Sequence, residues 1–193
     1  MSSNELCILA PVSQENFLTQ FWEKETLHIE RTASDYFSQL LSIEEIEILL
    51  STGGQRFPDV QLVNAATDVP VGEYTDTDQR IAAHGLWTHY RDGATVVVSG
   101  AERRFHKLAE LCRSVSAQLG MRSQANLYLS PGLHQGFKPH YDTHDVFVLQ
   151  VSGSKCFRFY QSDVELPFSE DTFPSGYDAV SYTHLTLPTI LLV

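Results

Sequence analysis

Apolar positions along the first two-thirds of the chain repeat mostly at helical spacing. Ser13 can cap a short helix that carries Phe17, Leu18, Phe21 and Trp22 on its apolar side. Leu27, Ile29 and Arg31 alternate with His28 and Glu30, which predicts a strand. Ser42-Ile43-Glu44-Glu45 reads as a capping box, in which the Ser42 hydroxyl and the Glu45 carboxylate each satisfy a free backbone N–H. Ile43, Ile46, Leu49 and Leu50 follow as a helical stripe that stops at Gly53-Gly54. The stretch 60–78 has no clear period. Thr95 to Ser99 is a β-branched run between Gly93 and Gly100. The clearest helix spans Phe105 to Leu119, with Leu108, Leu111, Cys112, Val115 and Leu119 on one face and Gly120 as its stop.

Beyond Gly120 the period changes to that of strands. One is predicted over Ala125 to Ser130, ended by Pro131-Gly132. A second covers His140 to Val151, ended by Ser152-Gly153, and a third covers Lys155 to Tyr160. Val146 to Val151 is an apolar run broken only by Gln150, as in a sheet buried on both faces. The pattern is therefore α+β, helix-rich before Gly120 and strand-rich after it.

Thirteen basic residues face twenty-four acidic ones, a net charge of -11, which argues against direct nucleic-acid binding because such binding rests on neutralising phosphates. A basic polypeptide partner suits this charge better than nucleic acid does, but plain solubility is the simpler explanation. No segment approaches the roughly 20 consecutive apolar residues of a membrane helix. Residues 1–5 lack the layout of a secretory signal, so a cytoplasmic location is expected. Cys7, Cys112 and Cys156 form no C-x-x-C pair and are odd in number, which argues against a disulfide framework or a zinc-thiolate site; Cys112 and Cys156 read as small core residues.

The chemistry concentrates in Pro139-His140-Tyr141-Asp142. Residues i and i+2 of a strand share a face, so His140 and Asp142 would point the same way. An imidazole beside a carboxylate supplies two corners of the 2-His-1-carboxylate site used for non-haem Fe(II). A lone H-x-D recurs by chance, and the next strand adds weight. Lys155 shares its face with Phe157 and Phe159, where an ammonium is costly to bury without an anion. Such a lysine either meets a carboxylate ligand or snorkels to water from the strand end.

The segment NLYLSPGLHQGFKPHYDTHDVFVLQVSGSKCFRFY resembles the core of the JmjC oxygenases of the ribosomal-oxygenase group, also described as cupin-like. FWEKETLHIER resembles that group's entry segment, and GATVVVSGAERRFHKLAELCRSVSAQLG resembles the strand and helix before its metal-binding strand. The resemblance implies a helix-rich part over 1–94 and the first half of a double-stranded β-helix (a jelly roll) over 95–179. It implies Fe(II) held by His140 and Asp142, and 2-oxoglutarate as cosubstrate. By resemblance Lys155 pairs with the distal carboxylate of 2-oxoglutarate and Tyr128 lines the cosubstrate pocket, with Asn126 a weaker candidate. His134 and His144 match no ligand position of the family. On a strand His144 would share the face of His140 and Asp142, which allows an outer or substrate contact, although a partly solvated histidine is the simpler reading; His28, His84, His89 and His106 read as structural or surface residues. No catalytic group is implied beyond the metal ligands.

The implied activity is a dioxygenase that hydroxylates a protein side chain, in a ribosomal protein by analogy, with room for a homodimer in the intact parent. The alternatives are a cupin-like binding domain without turnover, or a hydroxylase of a small molecule or peptide natural product. The family's third ligand is a histidine roughly sixty residues past the triad Asp, at about position 200 here. The chain ends at Val193, and His184 comes too early. VSYTHLTLPT, starting at Val180, resembles a translated sequencing adapter, so 180–193 is expected to be a non-native tail, and the chain as given is expected to be an inactive fragment that folds poorly.

Overall fold

A computed structural model of the chain describes residues 7–31, 33, 35–140, 142–160, 182–187 and 189–192, the side chains of Cys7, Tyr160 and the last two segments excepted. In chain order the main elements are α1 (Gln14–Asn16, continued by a π-helical turn over Phe17–Phe21), β1 (Leu27–Glu30), α2 (Ile43–Ser51), β2 (Val60–Val63), α3 (Ala83–Arg91), β3 (Thr95–Val98), α4 (His106–Leu119), β4 (Leu127–Leu129), β5 (Phe147–Leu149), β6 (Lys155–Tyr160), β7 (Tyr182–Leu187) and β8 (Thr189–Leu192). Among the described residues every α-helix precedes Gly120, and helices and antiparallel sheet are mixed before it. They pack as two compact units, one of Leu41–Pro139 and one of Met1–Leu40 with His140–Val193.

The Leu41–Pro139 unit is built on a sheet of order β2-β3-β4, antiparallel throughout. All four β3 residues are buried. Val96 lies opposite Leu62 and Leu129, and Val98 opposite Val60 and Leu127, so these valines and leucines share one face of the sheet. Val60, Val96 and Val98 are almost wholly inaccessible. α3 packs against β2 and β3 and buries Leu86.

The capping box forms as expected. Ser42 Oγ accepts from Glu45 N at 3.1 Å and Glu45 Oε2 accepts from Ser42 N at 2.8 Å. α2 buries Ile46 and Leu50, while Ile43 lies toward solvent and the helix stops at Ser51, ahead of the glycine pair. α4 buries Leu108, Cys112 and Val115 and ends at Gly120, whose φ of 70° is left-handed and favours glycine. After α4 the chain is tied back to the turn before it: Ala101 N donates to Ala125 O at 2.7 Å, Ala125 N to Glu102 Oε2 at 2.9 Å, and Gly100 N to Asn126 Oδ1 at 3.1 Å.

In the other unit Ser13 caps α1, with Asn16 N donating to Ser13 Oγ at 3.2 Å. Phe17 is fully buried, with its ring 5.5 Å from Trp22 and 6.0 Å from Phe147. Leu27 and Ile29 are buried and alternate with His28 and Glu30, as a half-buried strand requires. β8 pairs with β1 on one side and β5 on the other, and β7 pairs with β6. Unpaired edges accept any extended β-prone segment, so this pairing carries no information on the origin of 180–193. Residues 161–179 of the expected β-helix, and the first two residues of the expected tail, lie outside the described residues.

Two expectations need correction. Strand structure begins at Phe147, not at His140, and residues 146–150 are half-buried where burial on both faces was expected. The polar run Asp142-Thr143-His144-Asp145 is exposed, and a proline before His140 denies the ladder a donor. Cys112 is buried as expected, whereas Cys156 is exposed: alternation along β6 puts it on the face opposite Lys155, Phe157 and Phe159.

Replacing Ser42 by alanine removes one arm of the capping box and should lower stability by about 1 kcal/mol. Urea unfolding followed by circular dichroism measures it; an unchanged midpoint would mean that the box contributes nothing.

Candidate metal and cosubstrate site

His140 and Asp142 lie in irregular backbone just before β5, both exposed; Tyr141 between them is outside the described residues. One imidazole and one carboxylate are the right donors for a facial iron site, so the donor chemistry fits two of its three corners. Among the described residues no group of three or more His, Cys, Asp or Glu comes together, and His184 has no described side chain. His144 sits in a bend, so it shares no strand face with the pair. Asp145 has its carboxyl pKa raised by burial first and by the Glu23 carboxylate second, opposed by a backbone hydrogen bond and by His144.

Lys155 opens β6, and the expected face is present. Phe157 and Phe159 stack at 6.1 Å and 15°, and the Lys155 ammonium stands 5.7 Å from the Phe157 ring centroid. All three side chains are half-buried, while Cys156 and Arg158 between them are exposed. Burial pushes the lysine pKa below its ordinary value. The position is therefore a partly desolvated cation on an aromatic strand face, which an incoming carboxylate would stabilise.

Tyr128 lies on β4, opposite Val97, and is 49% exposed, open to a ligand from one side. Its ring meets Phe137 edge-on at 5.6 Å and 77°. Asn126 lies just outside β4, and its side-chain carbonyl accepts from the Gly100 amide, which ties it to the turn before α4. His89 and His106 pair with Glu73 and Glu110 at 3.0 and 3.1 Å, as surface or structural residues do.

Sequence reasoning passed over the loop 131–139 that leads into His140. Cross-strand partners share a face, so Thr95, Val97 and Tyr128 look out on the same side of the sheet, and the loop crosses that side. Gly136 is buried there against Thr95, and the half-buried Phe137 meets Tyr128. The signal was a lone glycine in His134-Gln135-Gly136-Phe137, outside any regular period.

Residues 100–182 match the family model of the JmjC domain, a span that holds His140, Asp142, Lys155 and Tyr128. Over this segment the chain belongs to the JmjC family. Its relatives include a bifunctional lysine-specific demethylase and histidyl-hydroxylase NO66 of Drosophila mojavensis, 32% identical over 167 residues, covering 81% of this chain and 18% of the relative. The protein of that name from Drosophila persimilis is also 32% identical, over 83% of this chain and 23% of its own length. That of Dictyostelium discoideum is 26% identical over 80% and 30%. The chain thus spans less than a third of each of these JmjC relatives. A JmjC domain implies a jelly roll; the described residues show helices mixed with small antiparallel sheets. Among the described residues no helix is long and apolar enough to cross a membrane.

The lowered lysine pKa has a measurable consequence. Below that pKa the ammonium is charged in both folded and unfolded chains, and the fold bears its desolvation. As pH rises from the lowered value toward the ordinary lysine value of about 10.4, the folded chain sheds its proton first and gains stability. Lys155→Met should therefore be more stable than the parent at pH 7, with an advantage that shrinks toward pH 10 in urea unfolding. A constant difference across that range would contradict a desolvated cation.

Proposed function

We propose that this segment is the iron- and 2-oxoglutarate-binding part of a dioxygenase that modifies a protein side chain. The observation supporting it is one JmjC-matched stretch that holds both an H-x-D pair of the right donors and, on β6, a half-buried ammonium on an aromatic face. His140, through an imidazole nitrogen, and Asp142, through its carboxylate, hold the metal. Lys155 fixes the far carboxylate of 2-oxoglutarate by charge, and its aromatic neighbours exclude water from that contact. Tyr128 borders the cosubstrate, a role that rests on family resemblance. When bound, Fe(II) and 2-oxoglutarate supply the oxidising chemistry: cosubstrate and O2 give succinate and CO2, and the second oxygen atom enters a substrate C–H bond.

The substrate class is a side chain of a protein. The relatives are named for action on lysine and histidyl residues, and a net charge of -11 suits a basic polypeptide, with a ribosomal protein as the partner the resemblance implies. The rival reading is a binding domain without turnover.

Succinate release from 2-oxoglutarate by the full-length protein that carries this segment separates the two readings. His140→Ala should cut it by at least about 100-fold, because loss of a ligand costs more than the 10–100-fold typical of outer partners. Unchanged turnover in that variant would remove His140 from the site, and no turnover in the parent would favour the binding domain.

A further inference from the structure

A cavity of about 260 Å³ opens between the exit of β2 and the loop 131–139, lined by Asn64, Ala65, Ala66, Leu133, His134 and Gln135. All six residues belong to the Leu41–Pro139 unit, and Ala65 N ties the two segments together by donating to Gln135 O at 3.3 Å. The three polar side chains share one feature: each spends one end on the protein and keeps the other unspent. Asn64 Oδ1 accepts from Ala66 N at 2.9 Å, and its Nδ2 has no partner among the described residues. Gln135 Nε2 donates to Phe137 O at 2.8 Å, and its Oε1 has none either. His134 Nδ1 donates to Gly132 O at 2.8 Å while the ring lies on Gly93, where a Cβ would collide with it; its Nε2 makes no hydrogen bond among the described residues.

The bonded ends fix where the unspent ends stand, so the array is preorganised for a ligand. With its proton on Nδ1, the neutral imidazole offers Nε2 as an acceptor. The cavity thus presents one amide donor, on Asn64, and two acceptors, on Gln135 and His134. A primary carboxamide is their complement, with one carbonyl for the donor and two N–H bonds for the acceptors. A carboxylate has no proton for the acceptors, and an ammonium or guanidinium has no lone pair for Asn64. The volume of about 260 Å³ lies below the roughly 300–1,000 Å³ of pockets that hold whole small molecules, so it suits a single side chain. Leu133, beside it, is fully exposed and holds a φ of 66°, a left-handed conformation unfavourable for leucine, and it buries nothing in return. An exposed residue held under strain points to a contact outside the fold.

We propose that this cavity is a docking subsite for a polypeptide. It takes a glutamine or asparagine side chain, held by Asn64, His134 and Gln135, while Leu133 packs on an apolar residue next to that side chain. The site contains none of His140, Asp142 and Lys155, so it stands or falls apart from the iron reading.

NMR titration of the metal-free chain with N-acetyl-leucyl-glutamine N-methylamide reads the side-chain amide signals of Asn64 and Gln135 directly. Saturable shifts at residues 64–66 and 133–135 are expected, and the glutamate analogue at the same concentrations should leave them in place. A probe dimethylated on the side-chain amide nitrogen keeps the carbonyl, loses both N–H donors and should bind about tenfold more weakly. Asn64→Asp keeps the acceptor for Ala66 N and loses the donor, and should weaken the glutamine probe to a similar degree. Leu133→Gly should leave the urea midpoint no lower, because glycine accepts the left-handed backbone, and should bind the leucyl probe no better than the parent binds its glycyl counterpart. Equal binding of the glutamine, glutamate and dimethylated probes overturns the carboxamide assignment, a result that needs no variant to fold. Shifts absent at 64–66 and 133–135 overturn the site. Acetamide bound as tightly as the peptide would assign the cavity to small free amides and overturn polypeptide docking.

Discussion

The central strand Thr95–Val98 is the element on which the Leu41–Pro139 unit depends. It pairs on one side with β2 and on the other with β4, and all four of its side chains are buried. A strand between two partners has no unpaired edge, and a strand buried on both faces must be apolar or fully satisfied. Val96, Val97 and Val98 meet the first condition, and Thr95, bonded to Ser130, meets the second. Because β3 cannot shift its register without exposing one of these faces, whatever touches it inherits its rigidity. α3 packs on one part of it, and the loop toward His140 lies on another.

How much of this was legible follows from what each element needs. Thr95–Val98, α2 with its capping box, and α4 with Gly120 declare themselves locally, through β-branching, a reciprocal cap and a helical stripe with a left-handed stop. β6 was legible to the residue because its alternation, Lys155-Phe157-Phe159 against Cys156-Arg158, is uninterrupted; only the burial of Cys156 was misjudged, by treating an apolar residue as an inward one. β2 and α3 were not legible. Val60–Val63 is a strand because β3 lies beside it, and α3 begins after Ala82, which offers no side-chain cap, and carries His84, Gly85 and His89 among its nine residues. Such elements form through tertiary contact, which local pattern does not contain.

The site divides in the same way. The donors His140 and Asp142 and the cation Lys155 were readable as chemistry, and Lys155 occupies the environment expected of it. The strand geometry assumed for the donors does not exist, because Pro139 and a polar, solvated run precede β5. The loop that ends at Pro139 is held by side chains with no catalytic look: Gly136 against the buried Thr95, and Phe137 against Tyr128.

The central claim is that the JmjC-matched segment binds a divalent metal through His140 and Asp142. Paramagnetic broadening of amide resonances by sub-stoichiometric Mn(II) locates the ion directly. The account predicts selective broadening around residues 138–144, absent in Asp142→Asn. Broadening centred elsewhere, for instance on the glutamates of α2, with the 138–144 resonances untouched, would contradict it.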